Sequence, residues 1–240
     1  MTNIQIWSLQ EMMLNRVAVA LGPELVREVA FVGGCTVGLL VTDQLVRESV
    51  RYTDDVDIIV HVLGPGSWYQ LEQRLAGLGF QDDPEDTVLC RKRLRDRTTG
   101  DLIVDFMPND EKILGFSNRW YTAALMNAVD HALSSGEIIR VVAPAHFLGT
   151  KIEAWRGRGN NDPLSSQDVE DILNVIDGRS SLISEVEQAE PELRHAIAEG
   201  IDELLAHPMF DYAVQSAAGG SLKREQMLFQ RLEQFTMMRP

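Results

Sequence analysis

Residues 55–61 read Asp-Val-Asp-Ile-Ile-Val-His, with Val56, Ile58 and Val60 at every second position and Asp55 and Asp57 between them. A period of two belongs to an extended strand, whose successive side chains leave opposite faces. The run therefore predicts a strand with one apolar face and one acidic face. Such a strand needs partners in a sheet and an apolar layer to sit on.

The rest of the chain supplies both. Val29–Val32 is a short apolar run stopped by Gly33-Gly34, which predicts a buried strand, and residues 35–49 carry a helical apolar pattern. Upstream, Ser8-Leu9-Gln10-Glu11 has the form of a capping box. Leu9, Met12, Met13, Val17 and Ala20 then recur at helical spacing until Gly22-Pro23. Ser67 is placed to cap a helix through Leu78, and residues 82–86 read as an acidic loop. Residues 87–95 and 101–107 predict two strands joined in a hairpin at Arg97–Gly100, and Ile138–Val142 predicts another strand, ended by Pro144. Beyond Pro144 the pattern is helical. The expected class is α/β (α+β): a small mixed sheet with flanking helices over residues 1–143, then a helical region over 144–240.

At 240 residues and 45% apolar side chains, the chain has the length and composition to bury a real core. Its net charge of −14 argues against a surface that coats nucleic acid or anionic membrane as a whole. The two cysteines, Cys35 and Cys90, sit in apolar or strand-like contexts, which excludes a disulfide framework or a cysteine-rich zinc site. No apolar run approaches membrane-spanning length and no signal segment opens the chain, so a soluble, cytoplasmic protein with no membrane partner is expected.

Three features converge on chemistry. Asp55 and Asp57 leave one face of a strand, and two hard oxygen donors so placed suit Mg2+. Asp105, between Val104 and Phe106, puts a third carboxylate on a strand whose other face is apolar. Asp101 shares that face and is its rival, but it borders the turn. Gly33-Gly34 ends a strand and enters a helix, where backbone approaches phosphate closely and the helix N-terminus favours anions. A phosphate cradle at Gly33, Gly34 and Thr36 with three metal-binding carboxylates makes the parts list for in-line nucleotidyl transfer by a two-metal mechanism.

Phe31-Val32-Gly33-Gly34-Cys35-Thr36, then Arg51-Tyr52-Thr53-Asp54-Asp55-Val56-Asp57-Ile58-Ile59-Val60, then Val104-Asp105-Phe106 resembles the DNA polymerase β-type nucleotidyltransferase superfamily. Within it the chain is most similar to the AbiEii/AbiGii-type toxin-related nucleotidyltransferases, with Lys151–Arg158 and Ser165–Ile172 resembling a second block of that group. The resemblance covers about residues 28–178. It implies an enzyme with a nucleotidyltransferase core over 1–143, using two Mg2+ ions and an NTP. Asp55, Asp57 and Asp105 are the implied catalytic and metal-binding residues. Gly33, Gly34, Thr36, Arg51, Thr53, Lys151 and Asp168 are implied to bind nucleotide. The implied acceptor is a hydroxyl of a tRNA end or a protein side chain, and an antitoxin protein is an implied partner. This chain departs from the pattern at Cys35, where serine is usual, and in a longer spacing from Gly34 to Asp55.

Other readings stay open beside these. Lys151 also reads as a helix-surface lysine, and Asp168 as a first-turn residue favoured by the helix dipole. Arg91-Lys92-Arg93-Leu94-Arg95-Asp96-Arg97 holds five basic residues against one acid. Arg91, Arg93 and Arg95 share a face, either as an edge strand guarded by charge or as a phosphate-tracking strip for tRNA. A small cationic acceptor of aminoglycoside type is the rival substrate, and a non-catalytic nucleotide- or partner-binding protein is the rival outside enzymes.

Overall fold

The computed structural model describes residues 3–84, 86–115 and 117–238. In chain order they form α1 (Asn3–Leu25), β1 (Ala30–Val32), a 3-10 turn (Gly34–Thr36), α2 (Val37–Leu40), α3 (Gln44–Ser49), β2 (Asp55–Val60), α4 (Pro65–Gly77), β3 (Phe80–Gln81) and β4 (Arg91–Leu94). There follow β5 (Leu102–Pro108), α5 (Glu111–Leu114), α6 (Tyr121–Met126), β6 (Val129–Ala132) and β7 (Ile138–Val141). The remainder is helical: α7 (Pro144–Arg158), α8 (Gln167–Gly178), α9 (Leu182–Glu187), α10 (Pro191–Leu205), α11 (Phe210–Ala217) and α12 (Leu222–Thr236). Among the described residues no helix is long and apolar enough to cross a membrane.

The chain divides into two compact units. One is the chain up to Thr36 with Arg51–Ala143; the other is Val37–Val50 with the chain from Pro144 on.

The first unit is built on a seven-stranded mixed sheet in the order β3-β4-β5-β2-β1-β7-β6. β2 runs parallel to β5 and β1 parallel to β7; the other pairs are antiparallel. As the alternation predicts, Val56 and Ile58 of β2 and Val104 and Phe106 of β5 are fully buried, while Asp55 and Asp57 are half-buried. Full burial of one such side chain stabilises by about 1.5–3 kcal/mol, so these residues hold the two central strands in place. Phe80 of β3 meets the Phe106 ring edge-on at 5.2 Å between centroids.

Several boundaries depart from expectation. The Ser8–Glu11 box lies inside α1 and caps nothing; the Glu11 carboxylate instead accepts from the backbone N–H and hydroxyl of Ser134. α1 does break at Gly22, whose φ of 74° no helix accommodates. Its buried stripe is Met13, Leu14, Val17, Ala18 and Leu21, turned so that Met12 is exposed. α4 begins at Pro65 rather than at Ser67, because proline fits the first turn of a helix and the Ser67 hydroxyl is bound to the entering loop. The single helix expected over 35–49 is three short pieces. The cause lies far along the chain: the N–H groups of Thr42 and Asp43 both donate to the Gly178 carbonyl, and Asp43 then caps α3 through the Val46 N–H. β4 is an interior strand between β3 and β5, so the reading of its arginines as guards of an edge is wrong.

The second unit is helical. Its core is formed by residues such as Phe147, Ile172, Ile197, Phe210 and Phe235. It also buries a polar set on two neighbouring helices, Lys151 on α7 and Asp168, Asp171 and Asp177 on α8. Lys151 Nζ lies 3.0 Å from Asp168 and 2.6 Å from Asp171. Arg158 grips Asp168 with two further bonds, and Arg224 pairs with Asp177.

Candidate functional site

Strand register assembles the site. Asp57 on β2 stands opposite Asp105 on β5, Arg91 on β4 stands opposite Asp105 from the other side, and Val32 on β1 stands opposite Asp57. One row across four strands therefore carries Arg91, Asp105 and Asp57, and Asp55 lies two residues along β2 on the same face. One carboxylate oxygen each from Asp55, Asp57 and Asp105 lies within 4.8 Å of the others. Asp101, the rival for the third position, is paired with Arg95 beside the hairpin turn.

The three carboxylates are held individually. Thr53 is buried and its hydroxyl donates to Asp55 Oδ1. Arg91 donates from Nε to Asp105 Oδ1 and from Nη2 to Oδ2, both at 2.8 Å. Those bonds outweigh burial and hold the guanidinium firmly in its charged form. Asp57 fits because residue 33 has no side chain: a Cβ there would lie 1.9 Å from Asp57 Oδ2. Gly33 also has φ +80°, a conformation that side chains disfavour. The first glycine of the pair thus makes room for a carboxylate, a closer constraint than the phosphate approach expected of it. The second makes room for Arg51, whose Nη2 would lie 2.6 Å from a Cβ on residue 34. The Arg51 loop is itself tied down, because buried Gln10 of α1 donates to the Arg51 carbonyl at 2.9 Å.

Thr36 is placed differently from the phosphate contact expected of it. It is fully buried, and both its N–H and its hydroxyl donate to the Gly33 carbonyl, so it closes the turn from behind. The segment after it is a helix of only four residues, which has little dipole to offer an anion. Lys151 and Asp168 belong to the second unit, where each is committed to buried partners of opposite charge. The structure thus brings together Asp55, Asp57, Asp105, Gly33, Gly34, Arg51 and Thr53 within the first unit.

Four of the five basic residues of the run, Arg91, Lys92, Arg93 and Arg95, are paired locally with carboxylates. Besides Arg91 on Asp105, Lys92 meets Glu72 at 3.0 Å and Asp82 at 2.5 Å, Arg93 meets Asp83 at 2.5 Å, and Arg95 meets Asp101. Asp86 also reaches Arg91, at 3.7 Å; Glu85 of the same acidic loop lies outside the described residues. The strip of positive charge legible in the sequence is a ladder of ion pairs. Sequence reasoning placed Arg91 in the basic strip and missed its partner, Asp105. The signal for that pairing was the hairpin register that sets Arg91 opposite Asp105.

Cys35 adjoins this site and is fully buried, its Sγ 3.7 Å from the Gln10 carbonyl. Burial, with Asp57 and Asp55 adding to it, pushes its thiol far above the usual range. Burial and then Asp105 push Cys90 up to about 11. The thiolate is the reactive form, so both residues are expected to resist iodoacetamide at pH 8 in the native protein and to be modified once it is unfolded. Intact mass measures this directly, and native modification of Cys35 would contradict the described packing.

No protein-family model matches the chain, and no curated protein is similar to it. Among solved structures, an antigenic nucleotidyltransferase-like protein from Paracoccidioides brasiliensis is similar at a TM-score of 0.47 and 18% identity, covering 97% of this chain and 94% of that one.

Proposed function

We propose that the protein is a nucleotidyltransferase, moving a nucleoside monophosphate from an NTP to an acceptor hydroxyl with release of pyrophosphate. The observation that carries this reading is the convergence of Asp55, Asp57 and Asp105 on one sheet face, beside a glycine turn lined by Arg51. Closely spaced hard oxygen donors, with no nitrogen or sulfur ligand among them, fit Mg2+ or Mn2+. Asp55 and Asp57 would hold two such ions, and Asp105 the one on the acceptor side. When bound, the ions offset triphosphate charge and polarise the attacking and leaving oxygens.

The chain's own residues supply the rest. The Gly33-Gly34 turn and the Arg51 guanidinium bind the phosphates and aim the α-phosphorus at the acceptor. The acceptor oxygen forms its bond to that phosphorus as the bond to the bridging oxygen breaks, and pyrophosphate leaves. The acceptor's proton passes to a carboxylate oxygen of Asp105. Thr53 keeps Asp55 in its rotamer, and Thr36 keeps the turn closed.

The neutralised strip favours one acceptor class over another. Because Arg91, Arg93 and Arg95 all face carboxylates in a chain of net charge −14, a small cationic acceptor suits the surface better than an RNA. The test is a pyrophosphate-release screen with Mg2+ and each NTP against RNA, protein and aminoglycoside-type acceptors. Wild type is expected to turn over with one class and Asp57→Asn with none, a loss of at least about 100-fold. Nucleotide binding without pyrophosphate release in any arm supports the non-catalytic rival instead.

A further inference from the structure

Arg91 occupies a position that a metal-binding carboxylate would be expected to keep open. Its guanidinium forms a two-bonded fork with Asp105, both bonds 2.8 Å, and the pairing is built into the ladder because the two residues stand directly opposite on β4 and β5. Asp105 is 7% exposed, so the fork works where water competes weakly. The guanidinium also has a second acceptor within reach, since Asp86 Oδ2 is 3.7 Å from Nη1.

We propose that Arg91 is a resident cation that competes with the divalent ion for Asp105, so that full metal loading requires its fork to loosen toward Asp86. This rests on the metal-binding reading above and adds a regulation of that site. The charges support it. Asp55, Asp57 and Asp105 together carry −3, and Arg91 reduces that to −2, which one divalent ion balances. A second divalent ion gains the full charge of Asp105 only as Arg91 gives it up. The site then fills in two steps, a tighter one at Asp55 and Asp57 and a weaker one that includes Asp105. The weaker step is the one that substrate phosphate, as a further anion, would promote.

The test is a titration of the metal-free full-length protein with Mn2+ alone, following the free-ion electron paramagnetic resonance signal. Arg91→Gln is expected to tighten the weaker step roughly tenfold, the order set by removing one bidentate charge-assisted competitor. Arg91→Lys, which keeps the charge but not the fork, is expected to fall between the two and guards against a folding defect in the glutamine variant. On an Asp105→Asn background the gain from Arg91→Gln is expected to vanish. Equal or weaker Mn2+ binding in both Arg91 variants overturns the proposal and makes Arg91 an orienting residue for Asp105. If wild-type binding is nonetheless lost in Asp57→Asn, the metal-binding reading stands while the competition fails. Absence of Mn2+ binding in wild type and variants alike overturns both.

Discussion

Gly33→Ala is expected to destabilise the protein by about 2–5 kcal/mol and to remove divalent-ion binding, from the addition of one methyl group. Two costs combine. The backbone at residue 33 has φ +80°, and the added carbon would lie 1.9 Å from Asp57 Oδ2. Either Asp57 leaves the cluster or the turn is rebuilt, and both break the site. Gly64 supplies the matched control, with φ +100° and nothing within 4 Å of an added carbon. Gly64→Ala should show only the conformational cost, about 1–3 kcal/mol, and keep Mn2+ affinity unchanged. Denaturant unfolding and Mn2+ titration of the two variants separate the contributions. Equal effects at both positions would contradict the role given to Gly33.

Lys151→Ala is expected to cost about 3–5 kcal/mol, because it removes the ammonium that Asp168 and Asp171 share in a buried site. Asp171 has no exposed surface and lies 2.6 Å from the ammonium. Asp168 fares better, since Arg158 still grips both of its oxygens. Replacing the pair together, Lys151→Met with Asp171→Leu, is expected to recover most of the loss, since apolar side chains of similar volume carry no desolvation penalty. Denaturant midpoints measure both variants. Nucleotidyl transfer retained by the double variant would identify Lys151 as a strut; transfer lost from a stable double variant would restore its place at the phosphates.

The same network sets a pH window. Burial pushes the Asp168 carboxyl up, but the Arg158 fork and the Lys151 charge outweigh it and hold it below its usual value. A lowered folded pKa gives stability that is present above the unfolded value, about 4, and is lost as pH falls through the folded one. Lys151 is raised, its two carboxylates outweighing burial, so its contribution is present below about 10.4 and is lost as pH rises through its folded value. The contribution of this network should be flat between these limits, while burial of His146 and of the two thiols makes total stability fall as pH drops below about 6.5 and as it rises above about 8.5.

Much of the site was legible because it depends on a period of two. Asp55, Asp57 and Asp105 each sit among apolar neighbours that fix which way a strand faces, and the sheet brings all three together. The partners of those residues were harder to read, since they depend on register. Arg91 stands opposite Asp105 only for one alignment of the β4–β5 hairpin, and a slip of one residue would turn it to the other face. The break after α2 was out of reach for a different reason: the carbonyl that draws the chain away from a helix belongs to Gly178. β6 went unpredicted because Val129-Asp130-His131-Ala132 is an exposed edge without apolar alternation, and β3 because two residues carry no period.

Transfer from an NTP labelled at either the α- or the γ-phosphate tests the central claim most directly. With Mg2+ and an accepting substrate, the α-label is expected in the acceptor and the γ-label in pyrophosphate, with both products absent for Asp57→Asn. A γ-label in the acceptor, or orthophosphate in place of pyrophosphate, would show that the three aspartates serve a different phosphoryl chemistry.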